Sequence, residues 1–207
     1  MPVQAEDILN TARMFLNDLG SSNPQLWTDA VLMPMLQRAH QELQVILKKR
    51  AAPIMKTHTL QVINVGVQQI APISDMQSPI MLVEAATGQP GTLMTESDPL
   101  PLMAQQTSLN FWQWDGATIK FTGATSNRDV EIYYWRTLPL PQTGTDTIQI
   151  IGGEMWLAPR TAAIAAASLG EAEAATMAGQ QAERFLEEVV IANRGRATPD
   201  MGASVRP

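Results

Sequence analysis

The sequence predicts an α+β protein: a four-helix core drawn from both chain ends, an antiparallel β-sheet or sandwich module inserted between its halves, and an extended C-terminal arm. Three observations predict it. Apolar residues recur at three- and four-residue spacing near both ends of the chain. The stretch from Thr57 to Thr137 between them reads as strands and turns. At its centre, Phe111-Trp112-Gln113-Trp114-Asp115-Gly116-Ala117-Thr118-Ile119-Lys120-Phe121 sets two alternating runs either side of an Asp-Gly turn, a strong hairpin signal. The boundaries that follow are 1–56 for the N-terminal helices, 57–137 for the insert, 138–193 for a linker and the C-terminal helices, and 194–207 for the arm.

Ile8, Leu9, Ala12, Phe15, Leu16 and Leu19 mark one face of a first helix, which Gly20-Ser21-Ser22-Asn23-Pro24 stops. Thr28 is the expected cap of a second helix, with Leu32, Leu36, Ala39, Leu43, Ile46 and Leu47 as its apolar stripe and its end near Lys49. Pro34 would clash with the carbonyl of Ala30, so the sequence predicts a break or kink there, or a helix that begins near Met33. In the insert, His58 to Ile63, Val67 to Ile70 and Ile80 to Ala85 read as strands, and Gly88-Gln89-Pro90-Gly91 as a turn. A short helix is expected around Leu100 to Ser108, followed by the hairpin and a strand at Val130 to Arg136.

Leu138 to Gly144 is a linker or an ordered crossing. Glu154 to Pro159 then leads into an alanine-rich helix, and Gly170 divides it from a last helix ending near Asn193. Ala162, Ala163, Ala166, Ala174, Ala178 and Ala182 permit close helix approach, while Phe185, Leu186, Val189 and Val190 supply bulk. Arg194 to Pro207, with Gly, Pro and Ser and little bulk, is either a flexible tail or an arm that orders against a neighbour.

Composition narrows the chemistry. A chain of 207 residues with 45% hydrophobic content can bury a core without a staple, and it has no cysteine, which excludes disulfides, thiol nucleophiles and cysteine-based metal sites. Neither a leader pattern nor an apolar run long enough to span a bilayer is present in the sequence, which predicts a soluble, cytoplasmically made protein without membrane contact. The formal charge of −6 argues against general nucleic-acid binding but not against a protein that DNA merely passes. Charge is polarised: Lys48, Lys49, Arg50 and Lys56 cluster, whereas Asp146 to Glu188 is acidic, a layout that suits head-to-tail contact between subunits or a solvated helix end equally.

The only histidines, His40 and His58, sit on a helix and a strand with no nucleophile beside them, so no catalytic residue is assigned. Glu171 with Glu173 and Glu187 with Glu188 fall on different helix faces, and no metal or cofactor site is expected. Gly152-Gly153 lacks the lysine and hydroxyl of a phosphate loop. Trp112 and Trp114 share one strand face with only Lys120, Arg128 and Arg136 as basic neighbours; they fill the β-core or touch a partner.

The order of parts resembles a head-to-tail adaptor of tailed bacteriophages. The resemblance is carried by two N-terminal helices with Leu26-Trp27-Thr28-Asp29 before the second, by Phe111-Trp112-Gln113-Trp114-Asp115-Gly116, by Val130-Glu131-Ile132-Tyr133-Tyr134-Trp135-Arg136, and by two C-terminal helices. It implies a structural virion protein at the head-tail junction, made in the host cytoplasm. Such proteins form a homo-oligomeric ring, typically dodecameric, that docks on the portal protein, extends the DNA channel without reading sequence, and offers a surface to a tail or nozzle protein. On that resemblance the arm residues Arg194, Arg196, Met201, Val205 and Arg206 are portal-binding candidates. Glu171, Glu173, Glu183, Glu187 and Glu188 are candidate channel lining, and Trp112, Trp114 and Lys120 face the tail or another partner. A tail terminator or other completion ring is the structural alternative, and a carbohydrate- or ligand-binding module on the aromatic sheet the alternative from another class.

Overall fold

The computed structural model describes residues 3–17, 26–86 and 89–194. Within them the chain forms two compact units, one from 3–17, 26–54 and 138–194, the other from 55–86 and 89–137. The fold is α+β, with four helices and mainly antiparallel sheets.

The first unit is helical: α1 (Ala5–Phe15), α2 (Asp29–Lys49), α3 (Gly153–Ser168) and α4 (Ala172–Arg194), with a two-stranded ribbon of β1 (Val3–Gln4) and β10 (Thr147–Ile148). The backbone N–H of Gln4 donates to the Asp7 carboxylate at 3.2 Å, which fixes the start of α1. The helix ends at Phe15, a turn short of the glycine-rich stop read from the sequence. Asn17 takes a positive φ of 53° and Leu16 closes the helix by donating to the carbonyls of Ala12 and Arg13. Leu19 lies outside the described residues.

Neither the break at Pro34 nor a start near Met33 occurs. α2 begins at Asp29 and runs through the proline, and α3 likewise begins at Gly153 and passes through Pro159. The lost hydrogen bonds are outweighed by packing: Leu32, Leu36, Ala39, Leu43 and Leu47 are fully buried, as are Trp156, Leu157, Ala162 and Ala166. Small side chains set the approach of the C-terminal helices, with Ala12, Ala162, Ala163 and Ala178 forming one cluster against Leu16. Gly170, at φ 81°, makes the turn between α3 and α4.

Residues remote in sequence are tied together by buried amides. The Gln44 side chain accepts from the Leu138 N–H at 2.8 Å and donates to its carbonyl at 3.1 Å, so the segment entering the C-terminal half is held against α2. Asn193 does the same for Ile151, at 3.2 and 2.8 Å. The backbone of α1 joins this arrangement through Ala5 to Asp146 and Glu6 to Gly144, at 2.9 and 2.8 Å.

The second unit follows a short 3-10 turn at Pro53–Met55. One sheet has the order β2 (Lys56–Ile63), β9 (Arg128–Arg136), β4 (Met76–Ala86), β5 (Gln89–Leu93), and the other β3 (Gln69–Ile70), β8 (Ile119–Phe121), β7 (Phe111–Trp114), β6 (Thr95–Glu96). Every pair is antiparallel except β6 with β7. Ile63, Leu82, Trp112, Ile119, Phe121, Val130, Ile132 and Tyr134 form its core.

Two expectations are corrected here. Gln89 to Gly91 belong to a strand rather than a turn, because they pair with the end of β4; Gly88 lies outside the described residues. No helix forms over Leu100–Ser108. Pro101 steers Leu100 away from helical dihedrals, and the backbone at Gln106 is instead drawn to Gly123, while Thr125 donates to Gln106 at 2.8 Å.

Candidate functional site

Both histidines are placed by the fold. His40, on α2, is buried and its Nδ1 lies 3.0 Å from the Gln44 amide nitrogen; burial pushes its pKa down to about 4, so the ring is neutral and works as part of the Leu138 clamp. His58, on β2, stacks on Tyr133 with centroids 5.1 Å apart. Neither has a nucleophile in hydrogen-bond contact. Among the described residues no group of three or more His, Asp and Glu is placed to hold a metal ion, and no helix is long and apolar enough to cross a membrane.

On the helical unit, Arg160 donates to the Glu42 carboxylate at 2.8 Å while Arg38 reaches its other oxygen at 3.3 Å, and the Arg160 guanidinium lies over the Trp156 ring at 6.0 Å. Two cations therefore share one anion at the edge of an open cleft of about 520 Å³. The hydroxyls lining it, Ser168 and Thr176, are already committed to the carbonyls of Ala165 and Ala172. Such a cleft is a charged relief for a protein surface rather than an enclosed ligand pocket.

The acidic candidates all lie on α4 or the residue before it: Glu171, Glu173, Glu183, Glu187 and Glu188 are all exposed. Glu187 is partly neutralised by Arg50 at 2.9 Å. Along the helix, Glu173 and Glu187 fall on the side opposite the buried Ala178, Ala182 and Val189, while Glu183 and Glu188 flank it on either side. Of the arm candidates, Arg194 is the exposed last residue of α4; Arg196, Met201, Val205 and Arg206 lie outside the described residues.

In the β unit the hairpin candidates separate. Trp112 is 2% exposed and sits in the core, so it presents no surface to a partner. Trp114 is half-buried and packs on the same core. Lys120 pairs with Asp115 at 2.8 Å, and Asp115 also accepts from the backbone of Ala117 and Thr118, at 2.9 and 2.6 Å. That ion pair, with the backbone donors, holds the Asp115 carboxyl well below the usual carboxylate range. Lys120 thus helps lock the turn.

Exposed apolar residues lie on the outer face of the β2-β9-β4-β5 sheet. Register sets Lys56, His58, Leu60 and Val62 of β2 opposite Trp135, Tyr133, Glu131 and Asp129 of β9. Across β9, Met81 and Val83 oppose Tyr133 and Glu131. Lys56 Nζ lies over the Trp135 ring at 4.8 Å, and the Tyr133 hydroxyl donates to Glu131 at 2.8 Å, which together with burial raises the Tyr133 pKa. The sequence reading missed Leu60, Val62 and Leu93. The alternation in Lys56–Ile63 was visible, but it does not say which face turns inward.

The chain belongs to the SU10 adaptor protein family, whose model matches residues 3–206. It is a structural adaptor of bacteriophages, a component of the virion. No curated protein matches the chain.

Proposed function

We propose that this adaptor closes into a cyclic, dodecameric ring at the head-tail junction, docks on the portal protein and extends the channel through which DNA passes. Heterologous contacts between copies would generate such a ring. The observation that carries the reading is the family match together with the acidic relief of α4: five carboxylates exposed on or next to one helix, in a unit built from both chain ends. Glu171, Glu173, Glu183, Glu187 and Glu188 would line a channel whose like charge keeps DNA from sticking. Arg194, Arg196, Met201, Val205 and Arg206 supply the contact with the portal, and the β unit turns toward the tail or nozzle protein.

The test is the mass of the purified protein, alone and after mixing with portal-bearing capsids, with particle imaging. A ring, free or on the portal vertex, is the expected result; a monomer that ignores capsids would sink the reading. Removing residues 194–207 should leave the fold unchanged and abolish capsid attachment, and unchanged attachment would take the arm out of the mechanism.

A further inference from the structure

The outer face and free edge of the sheet in the β unit combine three features that normal sheet design keeps apart. Leu60 and Val62 on β2 are each 58% exposed, and Leu93 on β5 is 64% exposed. Between them run the half-buried Met81, Val83, Tyr133 and Trp135. One face of this sheet covers the core; the other is also apolar, which marks a contact surface rather than a solvated face.

The edges are unequal. β2 is eight residues long, contains no Pro or Gly and keeps an unbroken register with β9. Among the described residues its backbone bonds to no other strand. The opposite edge, β5, contains Pro90, which has no N–H, and pairs across a register shift between Glu84 and Ala86. The remaining edges, β3 and β6, are two residues each. Among the described residues, β2 alone is therefore a template for strand addition.

The described strand edges of a second copy fit this template poorly. Head-to-tail addition between copies needs a second open edge, which the guarded β5 and the two-residue edges do not supply. Pairing of β2 with β2 would be two-fold and would close as a dimer rather than propagate round a ring. Charge defines what does fit. Among the described residues, Asp129, beside Val62, is exposed and has no ion-pair partner, and Glu131, beside Leu60, is bonded to the neutral Tyr133 hydroxyl. Lys56, at the other end of β2, is occupied by Trp135.

We propose that β2 receives an extended segment of a tail-side protein as an added strand, with apolar side chains beside Leu60 and Val62 and a long basic side chain reaching across β2 toward Asp129 and Glu131. The added strand would lie about 4.8 Å from β2 and would seal the half-buried Thr57, Thr59 and Gln61 on the inner side. This rests on the proposed position at the head-tail junction.

The experiment uses full-length protein, portal-bearing DNA-filled capsids and purified tails of the same phage. The variants are Leu60→Lys with Val62→Lys, Asp129→Lys, and Leu93→Lys as a control on the same face at the guarded edge. Replacing exposed side chains should leave melting unchanged. The expected result is that all proteins bind capsids, while tail joining falls by about tenfold or more for the first two variants and stays unchanged for Leu93→Lys. Amides of residues 56–63 in wild-type protein should exchange more slowly once tails are joined. Normal tail joining by the β2 variants would overturn the proposal. Equal loss with Leu93→Lys would replace strand addition by flat packing on the face. Loss of ring formation would assign the edge to a second copy. Failure of wild-type protein to bind capsids would instead overturn the head-tail position, and the tail-side occupant with it.

Discussion

The two units solve the same problem, closing a core, by opposite means. The helical unit joins segments separated by more than eighty residues, and it does so with small alanine contacts and polar clamps, Gln44 on Leu138 and Asn193 on Ile151. The β unit is one continuous stretch of chain whose described core is carried by Trp112, Phe121, Tyr134 and branched aliphatics. Both units close long loops, since β2 pairs with β9 from Lys56 with Trp135 to Ile63 with Arg128, but the helical unit fixes its remote segments with buried hydrogen bonds that only the correct register satisfies. The β unit is held by bulk, and it can leave Leu60, Val62 and Leu93 outside without losing its core.

The largest effect should come from Trp112→Ala, which empties the aromatic centre of the β unit and should cost it about 3–5 kcal/mol. Thermal or urea melting followed by aromatic circular dichroism checks this, and loss confined to the helical signal would break the contrast. Trp114→Ala should cost less, because that ring is only half-buried against the core.

Acid comes next. Folded His40 takes a proton only near pH 4, whereas the unfolded residue does so near 6.5. The unfolded chain therefore binds more protons between those values, and stability conferred by the neutral buried ring is lost as pH falls through that window, by roughly 3 kcal/mol. Urea melts of the helical signal at pH 7.5 and 4.5 measure it, and His40→Asn should flatten the dependence. In the β unit the depressed Asp115 acts at lower pH: its contribution is present above the ordinary Asp range near 4 and fades as pH drops toward its folded value.

Gln44→Leu tests the clamp. It leaves the Leu138 N–H and C=O without their side-chain partner, and the expected loss is about 1–3 kcal/mol, read in the helical signal with the β unit's melting unchanged. The smallest effect is expected from Arg50→Ala, whose pair with Glu187 is largely solvent-exposed; less than about 1 kcal/mol should be lost, and less still in high salt.

How much of this could be read from residues alone differs between the units. The positions of α1, α2 and α4 were visible in spacing, since Ile8, Leu9, Leu36, Leu43 and Val189 mark buried faces directly, and α3 showed in its run of alanines. Proline misled at Pro34, where the sequence predicted a break and local propensity yielded to packing. The hairpin was visible because Asp115-Gly116 has a local mechanism: a short Asx turn and a positive φ of 90° at Gly116. By contrast β5, in the other sheet, was hidden, because a strand containing Pro and Gly has no period to detect. Of the interaction candidates, exposure of the α4 carboxylates follows from helical geometry, whereas the outer face of β2 does not follow from sequence, since alternation identifies two faces without naming the buried one.

Sequence by itself determined the class of elements, the place of the insert, the absence of thiol chemistry and the texture shared with phage adaptors. These follow from local spacing and from residue types, which need no partner to be read. Tertiary structure decided that Trp112 is core, that Lys120 is spent on a turn, that Gln44 joins the chain's two halves, and that β2 is the open edge. Each of those depends on which residues meet across long stretches of chain, and that information lies in the pairing of segments rather than in any one of them.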